Sequence, residues 1–229
     1  MTDIFHEIEE DLRRDRLRKL WDRFGGVIIA ACVLVILAAA GWSGYQYWRH
    51  EQAVKASEAY ESAVALFDAG KMQEAEAAFA AIAKSGPAGY RTLALFRAAA
   101  AATARDKAAG IAAFDAIAAD NSVPPLARDL ALVRAALLVV DTAGLPEVKQ
   151  RIGGIANGTG PLRHSARETL ALAELKAGDL AAANKTATDI TTDSDTPPGV
   201  RSRAELIRRL TASATAPAGE AAVGSAPTQ

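Results

Sequence analysis

The sequence predicts an all-α protein: one N-terminal transmembrane helix, then an α-solenoid of stacked helix pairs with a capping helix. Three observations carry this. Alanine, the best helix former, supplies about a quarter of the residues, while aromatic residues make up only 6%. Phe24 to Trp48 contains no Asp, Glu, Lys, Arg or His. Pro87, Pro124, Pro161 and Pro198 recur at intervals of 37 residues, a period that signals stacked helix-pair units. The 229 residues suffice for one large or two small units. Lys plus Arg total 26 against 27 Asp plus Glu, for a net charge of −1. That balance offers no basic surplus for nucleic acid. One cysteine and three histidines exclude a disulfide scaffold and leave too few ligands for a structural zinc site.

Taken in chain order, residues 1–23 form a charged tail in which Ile4, Ile8 and Leu12, then Leu17, Leu20, Trp21 and Phe24, follow helical spacing. Its basic half abuts the apolar run, as in an interfacial amphipathic helix; a docking helix for a partner is the other reading. Residues 24–48 are long enough to cross the ~30 Å hydrocarbon core of a lipid bilayer. Arg23 and Arg49 bracket them, and Trp42, Tyr45, Tyr47 and Trp48 form an aromatic belt at one end. The acidic tail is too long for the start of a signal peptide. Ile29-Ala30-Ala31-Cys32 resembles a lipoprotein cleavage box, but Val33 to Ala40 continue the apolar run past the cysteine.

Six basic residues precede the span (Arg13, Arg14, Arg16, Arg18, Lys19 and Arg23), and only Arg49 and Lys55 stand in the comparable stretch after it. The positive-inside rule therefore expects a cytoplasmic N-terminus and an exported remainder. That remainder is neutral by formal charge and free of cysteine. Trp48 to Asp68 contains no Gly or Pro, so the span is expected to continue into the first repeat helix with at most a bend at Gly41 or Gly44.

The repeat region occupies residues 49–212. In its first unit Gly70 is expected to end a helix in the left-handed region, Ala75 to permit close helix contact, and Phe79 to fill the space between. Ala63, Gly70, Ala75, Phe79 and Pro87 together resemble the tetratricopeptide repeat, which implies a right-handed α-solenoid. Leu172 to Ala183, with Gly178 at the turn and Ala187 in place of the large residue, matches as a fourth unit. The second is weaker, keeping Phe114 but placing Arg105 and Gly110 at the turn and small-residue positions. The third, Leu126 to Ile155, starts its second helix at Leu145-Pro146 and has no motif glycine. A final helix, Gly199 to Ala212, is read as a cap with Val200, Ala204, Ile207 and Leu210 inward and Arg201, Arg203, Arg208 and Arg209 outward. Residues 213–229 read as a disordered Ala/Pro-rich tail.

The whole chain carries a second resemblance. A short charged tail, a span ending Gly41-Trp42 through Tyr47-Trp48-Arg49, and Ala53, Ala56-Ser57, Ala59-Tyr60 and Ala63-Val64 leading into repeats resemble the ancillary Sec translocon subunit family. Its members are single-pass proteins of the Gram-negative inner membrane with a periplasmic tetratricopeptide-like domain. The resemblance implies contact with Sec translocon subunits, with a membrane-anchored periplasmic folding factor of the prolyl-isomerase type, and with unfolded or exported polypeptides.

Catalytic chemistry is not legible. Asn157-Gly158-Thr159-Gly160 lacks the lysine and preceding strand of a phosphate loop and reads as a repeat linker. Asp193 and Asp195 lack the closing glutamate of a calcium loop and read as a solvated turn. His6, His50 and His164 lie in separate regions. Asn184-Lys185-Thr186 fits a glycosylation acceptor but falls within an expected helix. No cofactor or metal is expected, and the reading is a non-enzymatic interaction protein. First helices line the concave surface of such arrays, which nominates Tyr60, Val64, Phe67, Leu95 and Glu168 as a protein-binding groove, with inter-helix core as the other role open to them. A scaffold of another envelope assembly, for cell division or cytochrome maturation, is the alternative function.

Overall fold

The computed structural model describes residues 3–212; for residues 3–20, Asp22 and Ile28 it describes the backbone alone. The expected disorder of residues 213–229, and the apolar face expected on the N-terminal tail up to Leu20, lie outside what is described. Among the described residues there are nine helices and no strand: α1 (Asp3–Asp68), α2 (Met72–Ser85), α3 (Ala88–Arg105), α4 (Lys107–Ala119), α5 (Pro125–Val139), α6 (Leu145–Asn157), α7 (Arg163–Lys176), α8 (Leu180–Thr192) and α9 (Pro198–Thr211). The chain divides into two compact units, the first ending at Lys55 and the second starting at Ala56.

The first unit is the helix α1 up to Lys55. It carries a stretch with mean hydropathy 2.6, long and apolar enough to cross a membrane. Its apolar side chains, among them Val33, Leu34, Ile36 and Leu37, face outward with nothing packed on them within the unit. Gly41 and Gly44 are both helical, and no break interrupts α1. At the aromatic end Tyr45 stacks on Trp48 with centroids 6.2 Å apart, and the Arg49 guanidinium lies 5.8 Å from the Tyr45 ring centroid.

The second unit pairs the end of α1 with α2, α3 with α4, α5 with α6 and α7 with α8, and closes with α9. Its core falls into four clusters, each built from three successive helices: α1 to α3, α3 to α5, α5 to α7 and α7 to α9. In the first and fourth pairs the turn follows the expected glycine logic. Gly70 (φ +75°) and Gly178 (φ +79°) occupy the left-handed region, where an L side chain is strained. Around Gly70 the N–H of Lys71 donates to Leu66 O and that of Gly70 to Phe67 O, both at 3.0 Å. Around Gly178 the N–H of Asp179 donates to Glu174 O (3.0 Å) and that of Gly178 to Leu175 O (3.1 Å). These are the paired C-terminal bonds of a Schellman motif.

The middle turns explain why the second and third units read poorly. Between α3 and α4 the turn is Asp106 alone, extended at φ −152°, whose side chain caps α4 by accepting from Ala108 N–H at 3.0 Å. Between α5 and α6 the turn is residues 140–144, and Gly144 at φ −75° only precedes the helix. Second helices therefore shift in sequence while keeping one packing pattern. Ala75, Phe79 and Ile82 of α2 recur as Gly110, Phe114 and Ile117, then Val148, Ile152 and Ile155, then Ala183, Ala187 and Ile190. All are buried except Ile155, which is half-buried.

The cap differs from its sequence reading. Leu210 is 59% exposed, and Thr211 is the buried residue at that end. Val200, Ala204, Ile207 and Thr211 follow steps of four, three and four, which keep one helical face toward the neighbour; Leu210 breaks that stripe. Arg201 is not a free outward charge either. Its guanidinium folds back to Asp193 O (3.0 Å) and Thr191 O (3.4 Å).

Candidate functional site

First helices keep the 37-residue period that the prolines announce. Tyr60 on α1, Arg97 on α3, Arg134 on α5 and Ala171 on α7 occupy successive equivalent positions, as do Ala63, Ala100, Leu137 and Glu174. In the second unit the first three of these helices open onto one groove of about 420 Å³. It is lined by Tyr60, Leu93, Phe96, Arg97, Ala100, Thr103, Phe114, Arg134, Leu137 and Leu138.

The groove's floor is aromatic and its rim is mixed. Phe96 and Phe114 contact each other at 5.9 Å between centroids. Leu93 and Leu137 stand on the rim 55% and 45% exposed, leaving apolar surface open to a partner. At one end the Tyr60 ring meets Phe79 edge-on at 5.4 Å and Tyr90 at 5.8 Å. Arg97 Nε donates to Tyr60 Oη at 3.2 Å, which fixes the guanidinium beside the groove. The α3–α4 approach that brings Phe114 forward depends on Gly110, because a Cβ there would lie 2.0 Å from Thr103 Oγ1 and 2.6 Å from Thr103 Cα.

Of the residues nominated from sequence, Tyr60 lines this groove. Val64 and Phe67 pack against the cluster of Ala63, Ala75 and Phe79, and Leu95 packs against that cluster and the next. Glu168 lies on α7, where Arg203 of α9 binds both of its carboxylate oxygens, Nη2 to Oε2 at 2.8 Å. Sequence reasoning passed over Leu93, Arg97, Arg134 and Leu137. The signal for the arginines was the proline period itself, since one and two steps of 37 from Tyr60 land on Arg97 and Arg134.

A second polar assembly ties the α8–α9 linker to α7. Asp193 accepts from Arg163 Nε and Arg167 Nη1, both at 3.4 Å, and from Asp195 N–H at 3.0 Å. The backbone donor of Asp195, aided by Arg163, holds the Asp193 carboxyl below the usual range against a desolvation that opposes it. This is a braced corner rather than the solvated turn expected. His164 is buried beside it, with Nδ1 3.0 Å from Thr196 Oγ1, whose single proton goes to Ile190 O at 2.7 Å. Nδ1 is then the donor, so in the neutral imidazole Nε2 is the unprotonated nitrogen, buried and without a hydrogen-bond partner, 3.7 Å from Asp193 Oδ2. Burial first, then the positive charge of Arg163, pushes the imidazole below its ordinary value, with Asp193 opposing and Arg167 adding to the depression.

Another hollow, of about 400 Å³, is lined by Asn184, Glu205, Arg208, Arg209 and Ala212 and has no apolar floor. Among the described residues no three His, Cys, Asp or Glu side chains converge to hold a metal ion. A family model described as a tetratricopeptide repeat-like domain matches residues 18–152, a stretch that includes every residue of the Tyr60–Leu138 groove. No curated protein and no solved structure matches the chain.

Proposed function

The chain belongs to the tetratricopeptide repeat-like domain family, and from that premise we propose that it is a membrane-anchored, non-enzymatic interaction protein whose groove between α1, α3 and α5 holds polypeptide. The observation that carries this is the rim itself: Leu93 and Leu137 stay open to solvent above a floor of Phe96 and Phe114. The shape is a shallow trough, suited to an extended or helical segment rather than a small molecule. Photo-crosslinkers placed at Leu93 and Leu137 of the full chain should capture polypeptide, while one at Lys185, exposed on α8, should not. Equal yields from the three positions would remove the groove as the binding surface.

The finer reading is that the chain is an inner-membrane protein ancillary to the Sec translocon, with its repeats in the periplasm. Three things support it: the apolar stretch of α1, the excess of Lys and Arg before that stretch, and the likeness of span and first repeat to the ancillary subunit family. Its partners in this reading are translocon subunits, newly exported polypeptides and an anchored prolyl-isomerase-type folding factor. Tethering raises local concentration, so weak binding to each client suffices. Crosslinking from Trp42 or Tyr60 in cells tests the assignment, and the absence of translocon subunits among the products would end it.

A further inference from the structure

Half of the arginines of the second unit are matched with acids of the same chain. Arg105 pairs with Glu76, Arg151 with Asp115 and Glu147, Arg163 and Arg167 with Asp193, Arg203 with Glu168 and Arg209 with Glu205. Arg128 bonds Asn121, and Arg201 bonds backbone carbonyls. Arg91 and Arg208 have no such ion pair among the described residues, and neither have the two arginines that line the groove. Among the described residues no carboxylate lies within ion-pair distance of Arg97 or Arg134, and the one hydrogen-bond partner of Arg97 is the Tyr60 hydroxyl. They occupy equivalent positions one period apart on neighbouring helices, both exposed, and both line the same apolar trough.

From this we infer that the groove selects polypeptide segments that carry a carboxylate side chain among apolar ones. The inference rests on the groove being the polypeptide site. A guanidinium offers several N–H donors in a planar fork and stays charged at every physiological pH. A segment lying over Leu93, Phe96 and Leu137 would exclude part of the water around the guanidinium, so its attraction for a carboxylate is then stronger than on an open surface. Apolar side chains of the segment would fill the trough over Phe96 and Phe114 while its acid meets the two guanidiniums, that of Arg97 through the N–H groups not given to Tyr60. A lysine at the acid's place would face two like charges, so basic segments are rejected by the same pair. The formal charge of the exported part is balanced overall, so this preference is local to the groove and does not need long-range steering.

The test uses the full chain in neutral-lipid nanodiscs, with empty nanodiscs as the blank. Three short fluorescent amphipathic peptides share one set of leucines and alanines. The first carries glutamates, with its ends acetylated and amidated; the second carries glutamines in their place, equally blocked; the third is the glutamine peptide with a free C-terminal carboxylate. By fluorescence anisotropy the glutamate peptide should bind about tenfold tighter than the blocked glutamine peptide, the size of one charge-assisted contact. Arg97→Gln with Arg134→Gln should abolish that ratio, and Leu137→Asp should weaken binding of both peptides. The lysine pair, Arg97→Lys with Arg134→Lys, should keep part of the ratio.

Equal affinity for the two blocked peptides in the unaltered protein overturns the inference; the groove reading survives if Leu137→Asp still weakens both. Tight binding of the third peptide alone would mean that a chain terminus is read, and also overturns it. If Leu137→Asp changes neither affinity, the groove reading itself fails.

Discussion

Replacing Gly110 with alanine is the sharpest test of how the second helix pair is built. The Cβ of the new residue would sit 2.0 Å from Thr103 Oγ1, 2.6 Å from Thr103 Cα and 2.7 Å from Thr103 Cβ. Carbon atoms pack favourably at about 3.5–4.0 Å, so α3 and α4 must part by roughly 1 Å at this level. Rotating the threonine hydroxyl away does not help, because the backbone Cα is in the way too. Overpacking of this kind costs about 1–3 kcal/mol. Helix propensity acts the other way, since alanine is better than glycine by about 1 kcal/mol. With backbone against backbone the steric term belongs at its upper end, so the net destabilisation should be about 1–2 kcal/mol. Gly154→Ala is the control: it is helical, exposed and meets nothing within 4 Å, so it should stabilise by about 0.5–1 kcal/mol. Urea unfolding of the full chain in neutral detergent, followed by ellipticity at about 222 nm, reads both. If Gly110→Ala proved as stable as the parent while Gly154→Ala behaved as expected, the close α3–α4 approach would be refuted.

Other outcomes follow from the same structure. Gly178→Ala places a Cβ at φ +79° and should destabilise by about 1–2 kcal/mol, with Gly178→Asn milder, both read by thermal melting. Phe79→Ala, at a fully buried position, should cost about 3–5 kcal/mol. Leu93→Ala on the groove rim should change stability by no more than about 0.5 kcal/mol yet weaken peptide capture. His164 has a depressed folded-state pKa, so the unfolded chain binds more protons below about pH 6.5. Stability should be complete above that pH and fall as pH drops toward the folded-state value, and His164→Gln should flatten this part of the profile in urea titrations.

Much of the second unit was legible because its signals are local. Gly70 and Gly178 announce left-handed turns by residue type, and the prolines mark where first helices begin. Pro87 and Pro124 directly precede α3 and α5, and Pro198 opens α9. The third pair was opaque because its packing residues are Val148 and Ile152 rather than alanine and phenylalanine. They are displaced in sequence by a longer turn, and only three-dimensional packing identifies them as equivalent. The cap was misjudged at Leu210 by hydrophobicity. Thr211 takes the buried place because its hydroxyl donates to Ile207 O at 2.9 Å and accepts from Asn184 Nδ2 at 2.8 Å. The braced corner at Asp193 was invisible for a different reason. Its partners Arg163 and Arg167 precede it by 30 and 26 residues, and no local motif links them.

The groove's position also has a cause in the repeat register. In the first pair the ring of Tyr60 lies edge-on against Phe79, and Phe79 is fully buried. One period later the position of Tyr60 is held by Arg97, whose guanidinium turns toward the tyrosine hydroxyl. Phe114, the counterpart of Phe79, then lies at the groove with Phe96 beside it. A period further on Arg134 again replaces the aromatic, and Leu137 stands where the first unit has the fully buried Ala63. One repeat position thus contributes Tyr60, Arg97 and Arg134 in turn to the lining of the same trough. It sets two guanidiniums beside the apolar walls of Leu93, Phe96 and Leu137, so the groove's charge arises from a single repeat position.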